Sequence, residues 1–454
     1  MSGFRSRPVH LAPRSPASRT LRARLTTLAA RFLPLLPLLP LLLLPAPLAA
    51  QGEDAAMRRA RALLKAAPLI DTHNDVPWVI RNAAGRPRDV ESYDLATRGS
   101  FDTDIPKLRE GGVGAQFWSV YVPSDRPPLD AMREQMEQID IAHRLIDKYP
   151  RDLGLALTVA DIRRQESQGR IASLLGIEGG HTIGNSLGTL RAYYRLGMRY
   201  MTLTHFHNTD WADAATDSAR VGGLSPFGRE VVREMNRLGM LVDISHVSPA
   251  AMSAALDVSE APVIFSHSSA RALTDHVRNV PDSILRRMKA NGGVVMVNFV
   301  TSFVSDSVRR WQAALLPGML AAGSDSAANR LLQAHIAQHG PPPRATVRHL
   351  ADHVEHIARV AGVDHVGIGA DFYGATGEVN FVQGLEDVSK YPALFAELIR
   401  RGWSDADLRK LSRENILRVM GEAERVAGRL QRTRPPSNAT IEQLDGKRTA
   451  VPTP

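Results

Sequence analysis

Residues 239–269, GMLVDISHVSPAAMSAALDVSEAPVIFSHSS, contain two apolar runs separated by a segment that begins with a serine and a proline. The runs, 239–246 and 262–267, have the length and composition of buried parallel strands. Ser248 and Pro249 are typical of a helix start, as N-cap and first-turn residue. The stretch therefore predicts a strand, a crossover helix and a second parallel strand, with a histidine at the end of each strand.

The same alternation of apolar and helical segments runs through most of the 454 residues. The strand candidates are 67–73, 113–122, 171–178, 198–205, 239–246, 262–267, 292–300 and 365–371. Eight parallel strands joined by helices predict a closed (β/α)8 TIM-type barrel, and we expect a single catalytic domain over residues 51–430. The longest connection, 301–364, predicts a long helical insertion after the seventh strand, with two helices split at 340–343.

Both ends of the chain differ from this pattern. Residues 1–50 hold seven arginines, no acidic residue and a proline-rich apolar run that ends in Ala49 and Ala50. This layout predicts an export signal with a basic n-region, and hence a periplasmic or secreted protein without a stable membrane anchor after cleavage. An uncleaved anchor is the alternative. Residues 431–454 are rich in Pro and Thr and predict a disordered polar tail.

Composition excludes several classes of function. The chain has no cysteine, so disulfides, thiol nucleophiles and cysteine-ligated zinc are excluded, and any metal must be held by His, Asp and Glu. The net charge is +9, but the seven arginines of residues 1–50 supply most of it. No nucleic-acid partner is therefore expected for the barrel.

Three ionisable residues follow predicted strands in the first half of the chain. His73 and Asp75 are two residues apart at a strand end, so their side chains point to the same side and can reach one metal ion. Asp71 lies two residues earlier and is expected to cap or orient. Glu178 ends the third strand, where a buried carboxylate is costly unless it is paired or binds a metal.

Four further candidates follow later strands, and Arg278 lies in a loop. His246 and His267 end consecutive strands and would be neighbours at the barrel rim, where neutral imidazole suits zinc. Asp371 ends the last strand, and His205 ends the fourth. Each residue alone could be structural, but their shared position predicts an active site at the carboxyl ends of the strands.

One competing motif is present. Gly184-Asn185-Ser186-Leu187-Gly188 matches the Gly-x-Ser-x-Gly elbow of serine hydrolases. That elbow must follow a buried strand directly, whereas this segment begins six residues after Glu178, which ends the third strand. A loop that starts a helix is the simpler interpretation, and hydrolysis through Ser186 remains a remote alternative.

Seven ordered motifs resemble those of the renal-type membrane dipeptidase family of metallopeptidases, and the resemblance extends over residues 69–419. Its clearest segments are Asp71-Thr72-His73-Asn74-Asp75, Gly176-Ile177-Glu178-Gly179-Gly180-His181, Thr202-Leu203-Thr204-His205, Asp243-Ile244-Ser245-His246 and Phe265-Ser266-His267-Ser268-Ser269. The resemblance implies two zinc ions per subunit. It makes His73 and Asp75 ligands of one ion, His246 and His267 ligands of the other, and Glu178 the bridge between them.

The resemblance also implies the reaction. It predicts zinc-dependent hydrolysis of dipeptides by a metal-bridging hydroxide, with the carbonyl polarised by two zinc ions. Asp371 would lie beside the first zinc and transfer protons, His205 would contact the substrate near the scissile carbonyl, and Arg278 would bind the terminal carboxylate. Val300 stands where some relatives have a substrate-contacting tyrosine, and His207 where relatives often have a smaller residue. A homodimer is possible.

Two broader alternatives stay open at this stage. One is a related metal amidohydrolase that acts on lactams or N-acyl amino acids, which a substrate panel including a β-lactam would distinguish. The other is an exported barrel that binds a ligand without turnover. The complete ligand set argues against the second, because an unused metal site has no reason to keep every ligand.

Overall fold

Parallel strands form one sheet in this computed structural model, which describes residues 54–320, 325–374 and 381–446. Within those residues the strands are β1 (Leu69–Asn74), β2 (Val113–Ser119), β3 (Leu153–Leu155), β4 (Ile171–Glu178), β5 (Met198–Thr202), β6 (Leu241–Asp243), β7 (Ile264–Phe265), β8 (Val294–Val297) and β9 (Val366–Ile368). All of the pairings between them are parallel.

Eight of these strands close into a barrel. Strand β1 pairs with β2 on one side and with β9 on the other, and β2 also pairs with β4. From β4 the order continues strand by strand to β9, so the predicted (β/α)8 barrel is confirmed. Strand β3 was not predicted. It pairs only with the first residues of β4, and three residues are too few to show a strand period.

Helices alternate with the strands. In the described residues they are α1 (Ala55–Ala66), α2 (Val76–Arg81), α3 (Ile105–Glu110), α4 (Pro128–Lys148), α5 (Val159–Ser167), α6 (Leu187–Arg195), α7 (Pro226–Leu238), α8 (Pro249–Val258), α9 (Asp282–Asn291), α10 (Thr301–Val304), α11 (Asp306–Leu320), α12 (Asp325–His339), α13 (Val347–Ala361), α14 (Tyr391–Arg400), α15 (Asp405–Arg409), α16 (Asn415–Thr433) and α17 (Ile441–Asp445). Ser248 caps α8 as predicted, because its side chain accepts the backbone N–H of Ala251.

The long connection between β8 and β9 holds α10 to α13. The predicted break at residues 340–343 is present, since α12 ends at His339 and α13 begins at Val347. Helix α13 packs against the barrel, with Leu350, Val354 and Ile357 fully buried. It therefore serves as the crossover helix of the last βαβ unit, and α10 to α12 form the insertion.

The chain beyond residue 431 differs from the predicted disordered tail. Helix α16 continues to Thr433, and α17 follows after a short extended segment. Asp445 accepts hydrogen bonds from the Ser225 hydroxyl at 2.6 Å and the Phe227 backbone N–H at 2.8 Å, so α17 is tied to the start of α7. Composition alone does not reveal this long-range cap. Residues 447–454 and the predicted export signal at 1–50 lie outside the described residues.

Inside the barrel the strands contribute a continuous apolar core. Ile70, Phe117, Leu174, Tyr200 and Met296 are fully buried there, together with residues of α16. Burial on both faces explains why the strands read as apolar runs without alternation. None of the described helices is long and apolar enough to span a membrane.

Close packing at the start of β2 gives a stability prediction. A Cβ added at Gly111 would lie 1.9 Å from the carbonyl oxygen of Val388, so Gly111→Ala should lower the free energy of unfolding by about 1–3 kcal/mol. Urea denaturation would measure this. Gly188→Ala is the control, because its Cβ would meet its nearest neighbour at an ordinary 3.4 Å. Equal stability of the two variants would contradict the packing.

Candidate metal and active site

The residues predicted from strand ends meet around Glu178 at the carboxyl end of the barrel. Glu178 Oε1 lies 3.1 Å from His246 Nε2, 3.4 Å from His267 Nε2 and 3.6 Å from His205 Nε2. Glu178 Oε2 lies 3.5 Å from His73 Nε2. One carboxylate thus contacts the imidazoles of four different strand ends, and all five side chains are at least nine-tenths buried.

A second set of contacts is centred on His73. Its Nε2 lies 3.6 Å from Asp75 Oδ2 and 3.7 Å from Asp371 Oδ1. Asp371 reaches this position because β9 neighbours β1 in the closed barrel, and its backbone N–H donates to the His73 carbonyl oxygen at 3.2 Å. Every residue that the sequence assigned to the metal centre is therefore in one cluster.

The donor atoms fall into three overlapping groups, each with its atoms within 4.8 Å of one another. The groups are His73, Glu178 and His267; Glu178, His205 and His246; and His73, Asp75 and Asp371. His73 Nε2 and Asp75 Oδ1 are buried and have no hydrogen-bond partner among the described residues. Buried polar atoms are nearly always satisfied, so these two atoms fit the coordination of a cation. Imidazole and carboxylate are the ligands of catalytic zinc sites.

Electrostatics support the same conclusion. Burial, together with the charge of Asp75, raises the pKa of the Glu178 carboxyl above its usual range, and burial raises the pKa of Asp371 to about 8. Burial holds the pKa values of His246 and His267 well below the ordinary value, so both imidazoles are neutral at pH 7. Burial lowers the pKa of His73 too, but Tyr200, Glu178 and Asp75 outweigh it and raise that pKa well above the ordinary value. Two neutral imidazoles beside crowded carboxylates form a donor set suited to a divalent cation.

Two backbone features aim the ligands. His246 and Asp371 have φ angles of +66° and +67°, in the left-handed region that non-glycine residues rarely adopt. Each such residue costs on the order of 1–3 kcal/mol and tends to occur at functional sites. Both residues lie just beyond a strand end, where this turn directs the side chain across the barrel mouth.

Asp71 orients the first ligand motif and does not belong to the ligand groups, as expected from the sequence. Its Oδ1 accepts the backbone N–H of His73 at 3.2 Å and that of Ala370 at 2.9 Å. Its Oδ2 accepts the hydroxyl of Tyr391 at 2.6 Å. The buried carboxylate therefore connects the strand end that carries His73 with the one that carries Asp371.

Several supporting residues were not predicted. The Tyr200 hydroxyl lies 3.0 Å from His73 Nδ1, and the Ser119 hydroxyl donates to Glu178 Oε2 at 3.1 Å. The Ser266 hydroxyl lies 2.8 Å from His267 Nδ1. The only available signal was a polar residue at an inward position of an apolar strand, which does not indicate its partner.

A cavity of about 310 Å³ opens above the cluster. Its lining comprises Asp75, Trp78, Tyr121, Glu178, His205, Phe206, His246, Arg278, Val300, Phe303, Asp371 and Tyr373. Arg278 is only 2% exposed, and its Nε and Nη1 have no hydrogen-bond partner among the described residues. Burial lowers the pKa of Arg278 to about 10, which leaves the guanidinium charged at pH 7. A buried cation with free donors at a cavity is suited to bind an anionic group.

The structure places the other candidates away from this chemistry. Ser186 is the N-cap of α6 and accepts the backbone N–H of Thr189, and the helical turn Gly180–Ile183 separates it from β4. No nucleophile elbow is formed there. His207 is exposed and its Nδ1 lies 2.8 Å from the Ser124 hydroxyl, which agrees with a structural role.

A closed barrel with imidazoles and carboxylates at the carboxyl ends of its strands has the architecture of a barrel metalloenzyme. A model of the membrane dipeptidase family, peptidase family M19, matches residues 57–434. This match spans most of the chain. The protein therefore belongs to the membrane dipeptidase family, and it is a dipeptidase-like metallopeptidase.

Solved structures agree with the family. The probable dipeptidase PvdM from Pseudomonas aeruginosa is 26% identical with a TM-score of 0.70, over 82% of this chain and 99% of that one. The dipeptidase AC, a metallopeptidase of family M19, is 25% identical with a TM-score of 0.64, over 78% and 98% of the two chains. A metallopeptidase from Rhodobacter sphaeroides was solved with a phosphinate mimic of the dipeptide L-Ala-D-Ala. It is 25% identical with a TM-score of 0.64, over 78% of this chain and 99% of that one.

The cluster predicts that metal stabilises the fold through Glu178. Zinc added at about 100 times its Kd to chelator-treated protein should add about 2.7 kcal/mol to the free energy of unfolding, seen as a rise in Tm. Loss of a ligand's hydrogen-bond partner typically lowers metal affinity by roughly 10- to 100-fold. Glu178→Gln changes a ligand itself, so the zinc affinity of this variant should fall by more than that. Glu422→Gln, which alters a surface ion pair with Arg425, is the control. A zinc-dependent Tm rise in Glu178→Gln equal to that of the control would contradict this role.

Proposed function

We propose that this protein is a zinc-dependent dipeptidase that holds two zinc ions per subunit. The observation that carries the proposal is the position of Glu178, whose two oxygens face different imidazole sets. In this proposal His73 and Asp75 hold one ion, His246 and His267 hold the other, and Glu178 bridges them. Asp371 lies within reach of the first ion through its contact with His73.

Two zinc ions held by these residues would supply an attacking hydroxide at neutral pH and would polarise the scissile carbonyl. The protein supplies the proton transfers. Asp371 borders the cavity and is fixed by its backbone bond to His73, so its carboxylate can accept the proton of the attacking water and pass it to the leaving amine. This transfer requires a carboxylate that can reach both the oxygen of the attacking water and the nitrogen of the leaving amine.

His205 provides the donor for the developing negative charge. Its ring borders the cavity and packs between the rings of Tyr121 and Phe206, at centroid distances of 4.8 and 4.0 Å. This packing fixes the imidazole before the substrate arrives. A fixed donor to the oxyanion typically contributes about 3 kcal/mol of transition-state stabilisation.

Arg278 selects the substrate by its free carboxylate. Its buried guanidinium presents Nε and Nη1 at the cavity, next to the metal cluster, and neither atom has a hydrogen-bond partner in the described part of the chain. A two-point contact with a terminal carboxylate would place the single peptide bond of a dipeptide over the cluster. The dipeptide mimic bound by the Rhodobacter sphaeroides relative supports this substrate class.

The cellular setting is part of the proposal. The basic and apolar composition of residues 1–50 supports export, which would place the enzyme in the periplasm or outside the cell. The proposed export does not require a membrane anchor after the signal is cleaved. A homodimer is the assembly that the family resemblance implies.

The Arg278 contact gives the kinetic test. Arg278→Ala should raise KM for dipeptides with a free C-terminal carboxylate by about 10- to 100-fold, because a charge-assisted hydrogen bond contributes about 1.5–3 kcal/mol. The KM for the same peptide as a C-terminal amide should change little. Steady-state kinetics with the acid and amide pair would measure this.

Arg286→Ala is the matched control, because Arg286 is exposed on α9, away from the cavity. Equal effects of the two arginine variants on the acid substrate would argue against the clamp. Absence of any dipeptide hydrolysis by the zinc-loaded wild-type protein would contradict the proposed function itself.

A further inference from the structure

Asp243, at the end of β6, is a fully buried carboxylate outside the ligand groups. Its Oδ1 accepts the backbone N–H of Ser245 at 3.0 Å and that of Ser266 at 2.9 Å. Its Oδ2 accepts the hydroxyls of Thr202 at 2.5 Å and Ser266 at 2.6 Å. Four donors thus converge on a side chain that belongs neither to the cavity lining nor to the ligand groups found among the described residues.

The Ser266 hydroxyl links Asp243 to a ligand. Its Oγ is 2.6 Å from Asp243 Oδ2 and 2.8 Å from His267 Nδ1. Both oxygens of Asp243 act as acceptors, Oδ1 for two backbone N–H groups and Oδ2 for the Thr202 and Ser266 hydroxyls, so the single hydroxyl hydrogen of Ser266 points to Asp243. The Ser266 oxygen is then left to accept a hydrogen bond, and His267 Nδ1 must carry the proton.

This arrangement fixes the tautomer of the imidazole. A neutral histidine has one protonated nitrogen, so protonation at Nδ1 leaves Nε2 with a free lone pair. His267 Nε2 is the atom that faces the cluster, 3.4 Å from Glu178 Oε1 and 2.9 Å from His246 Nε2. We propose that Asp243 is a positioning residue that holds His267 in its metal-binding tautomer through the Ser266 hydroxyl.

Asp243→Asn should reverse the hydrogen-bond direction at Ser266 and so change the tautomer of His267. The two backbone N–H groups at Oδ1 cannot turn away, so they would hold the amide oxygen at that position. The amide nitrogen would then face Ser266 and donate to its oxygen. The Ser266 hydroxyl would rotate to donate to His267 Nδ1, which moves the ring proton to Nε2 and blocks the lone pair.

The test measures zinc binding and the tautomer, and it rests on the proposed metal centre. Zinc titration should show about 10- to 100-fold weaker binding at one of two sites in Asp243→Asn. Nitrogen NMR of the zinc-free protein should show His267 protonated at Nδ1 in the wild type and at Nε2 in the variant. Failure of the wild type to bind zinc would overturn the proposed function, whereas a normal wild type and an unchanged variant would overturn only the relay.

Two further variants keep the result interpretable. Thr202→Val removes the other hydroxyl from Asp243 Oδ2 but leaves the Ser266 contact, so it should bind zinc within about threefold of wild type. Ser266→Ala removes the acceptor of His267 Nδ1 and should weaken one site about tenfold, which decides the question if Asp243→Asn does not fold. Equal zinc affinities in Ser266→Ala and Thr202→Val would overturn the relay.

A second inference comes from the cavity wall. Half of its lining residues are apolar or aromatic: Trp78, Tyr121, Phe206, Val300, Phe303 and Tyr373. Phe206 and Tyr373 remain 49% and 45% exposed, so an apolar group bound in the cavity would remove surface of both from water. Phe206 also packs on the His205 ring at 4.0 Å and the His246 ring at 5.6 Å, so its position is fixed.

We infer that this wall binds a large apolar side chain of the dipeptide. Arg278 would bind the terminal carboxylate and the carboxylates of the cavity serve the metal centre, which leaves the aromatic surface for the side chain. Dipeptides with aromatic or branched apolar residues should therefore be hydrolysed with higher kcat/KM than glycine-containing ones. This inference rests on the proposed function and adds the substrate class.

The measured quantity is the ratio of kcat/KM for a phenylalanine-containing dipeptide to that for glycylglycine. In Phe206→Ala and in Tyr373→Ala this ratio should fall by about tenfold, because less apolar surface is covered. Phe101→Ala is the control, because Phe101 is 41% exposed but does not line the cavity. An unchanged ratio in both cavity variants would overturn the inference, while activity on glycylglycine would still support a dipeptidase.

Discussion

The carboxylate of Glu178 lies between the imidazole of His73 and three other buried imidazoles, and the rest of the site is arranged around it. One oxygen is within 3.6 Å of His205, His246 and His267, and the other is 3.5 Å from His73. Asp75 and Asp371 bring two more carboxylates into the same water-poor volume. Burying such charges costs several kcal/mol per ion unless cations compensate, so this cluster and a bound metal stabilise each other.

The closed barrel makes this crowding possible. The ligands come from the ends of several strands, with His73 and Asp75 both at the end of β1, and closure through the β1–β2, β2–β4 and β1–β9 pairings brings the first and last strands together at one rim. Open sheets with the same strands would separate Asp371 from His73. Because metal ligands must converge within a few ångströms, the barrel determines the distances and the local sequence determines only the type of ligand.

The ligands could be predicted because ionisable residues recur after several apolar strands, and the parallel-strand pattern assigns all of them to one rim. The partners Tyr200, Ser119 and Ser266 could not, because a hydroxyl within or beside a strand is common and its contact depends on register. Strand β3 is too short to show a period. Helix α17 is held by the contacts of Asp445 with α7, which composition cannot reveal.

Asp71 and Asp243 show that strand register also determines which strand ends are hydrogen-bonded to each other at the site. Each accepts at Oδ1 the N–H of the residue two positions later and an N–H from the neighbouring strand end. Each accepts hydroxyls at Oδ2, from Tyr391 in one case and from Thr202 and Ser266 in the other. The same arrangement of hydrogen bonds therefore joins the strand end of His73 to that of Asp371. It also joins the strand end of His246 to that of His267. A buried aspartate before a ligand histidine thus fixes two ligand-bearing strands at once, which explains why so polar a rim can stay ordered.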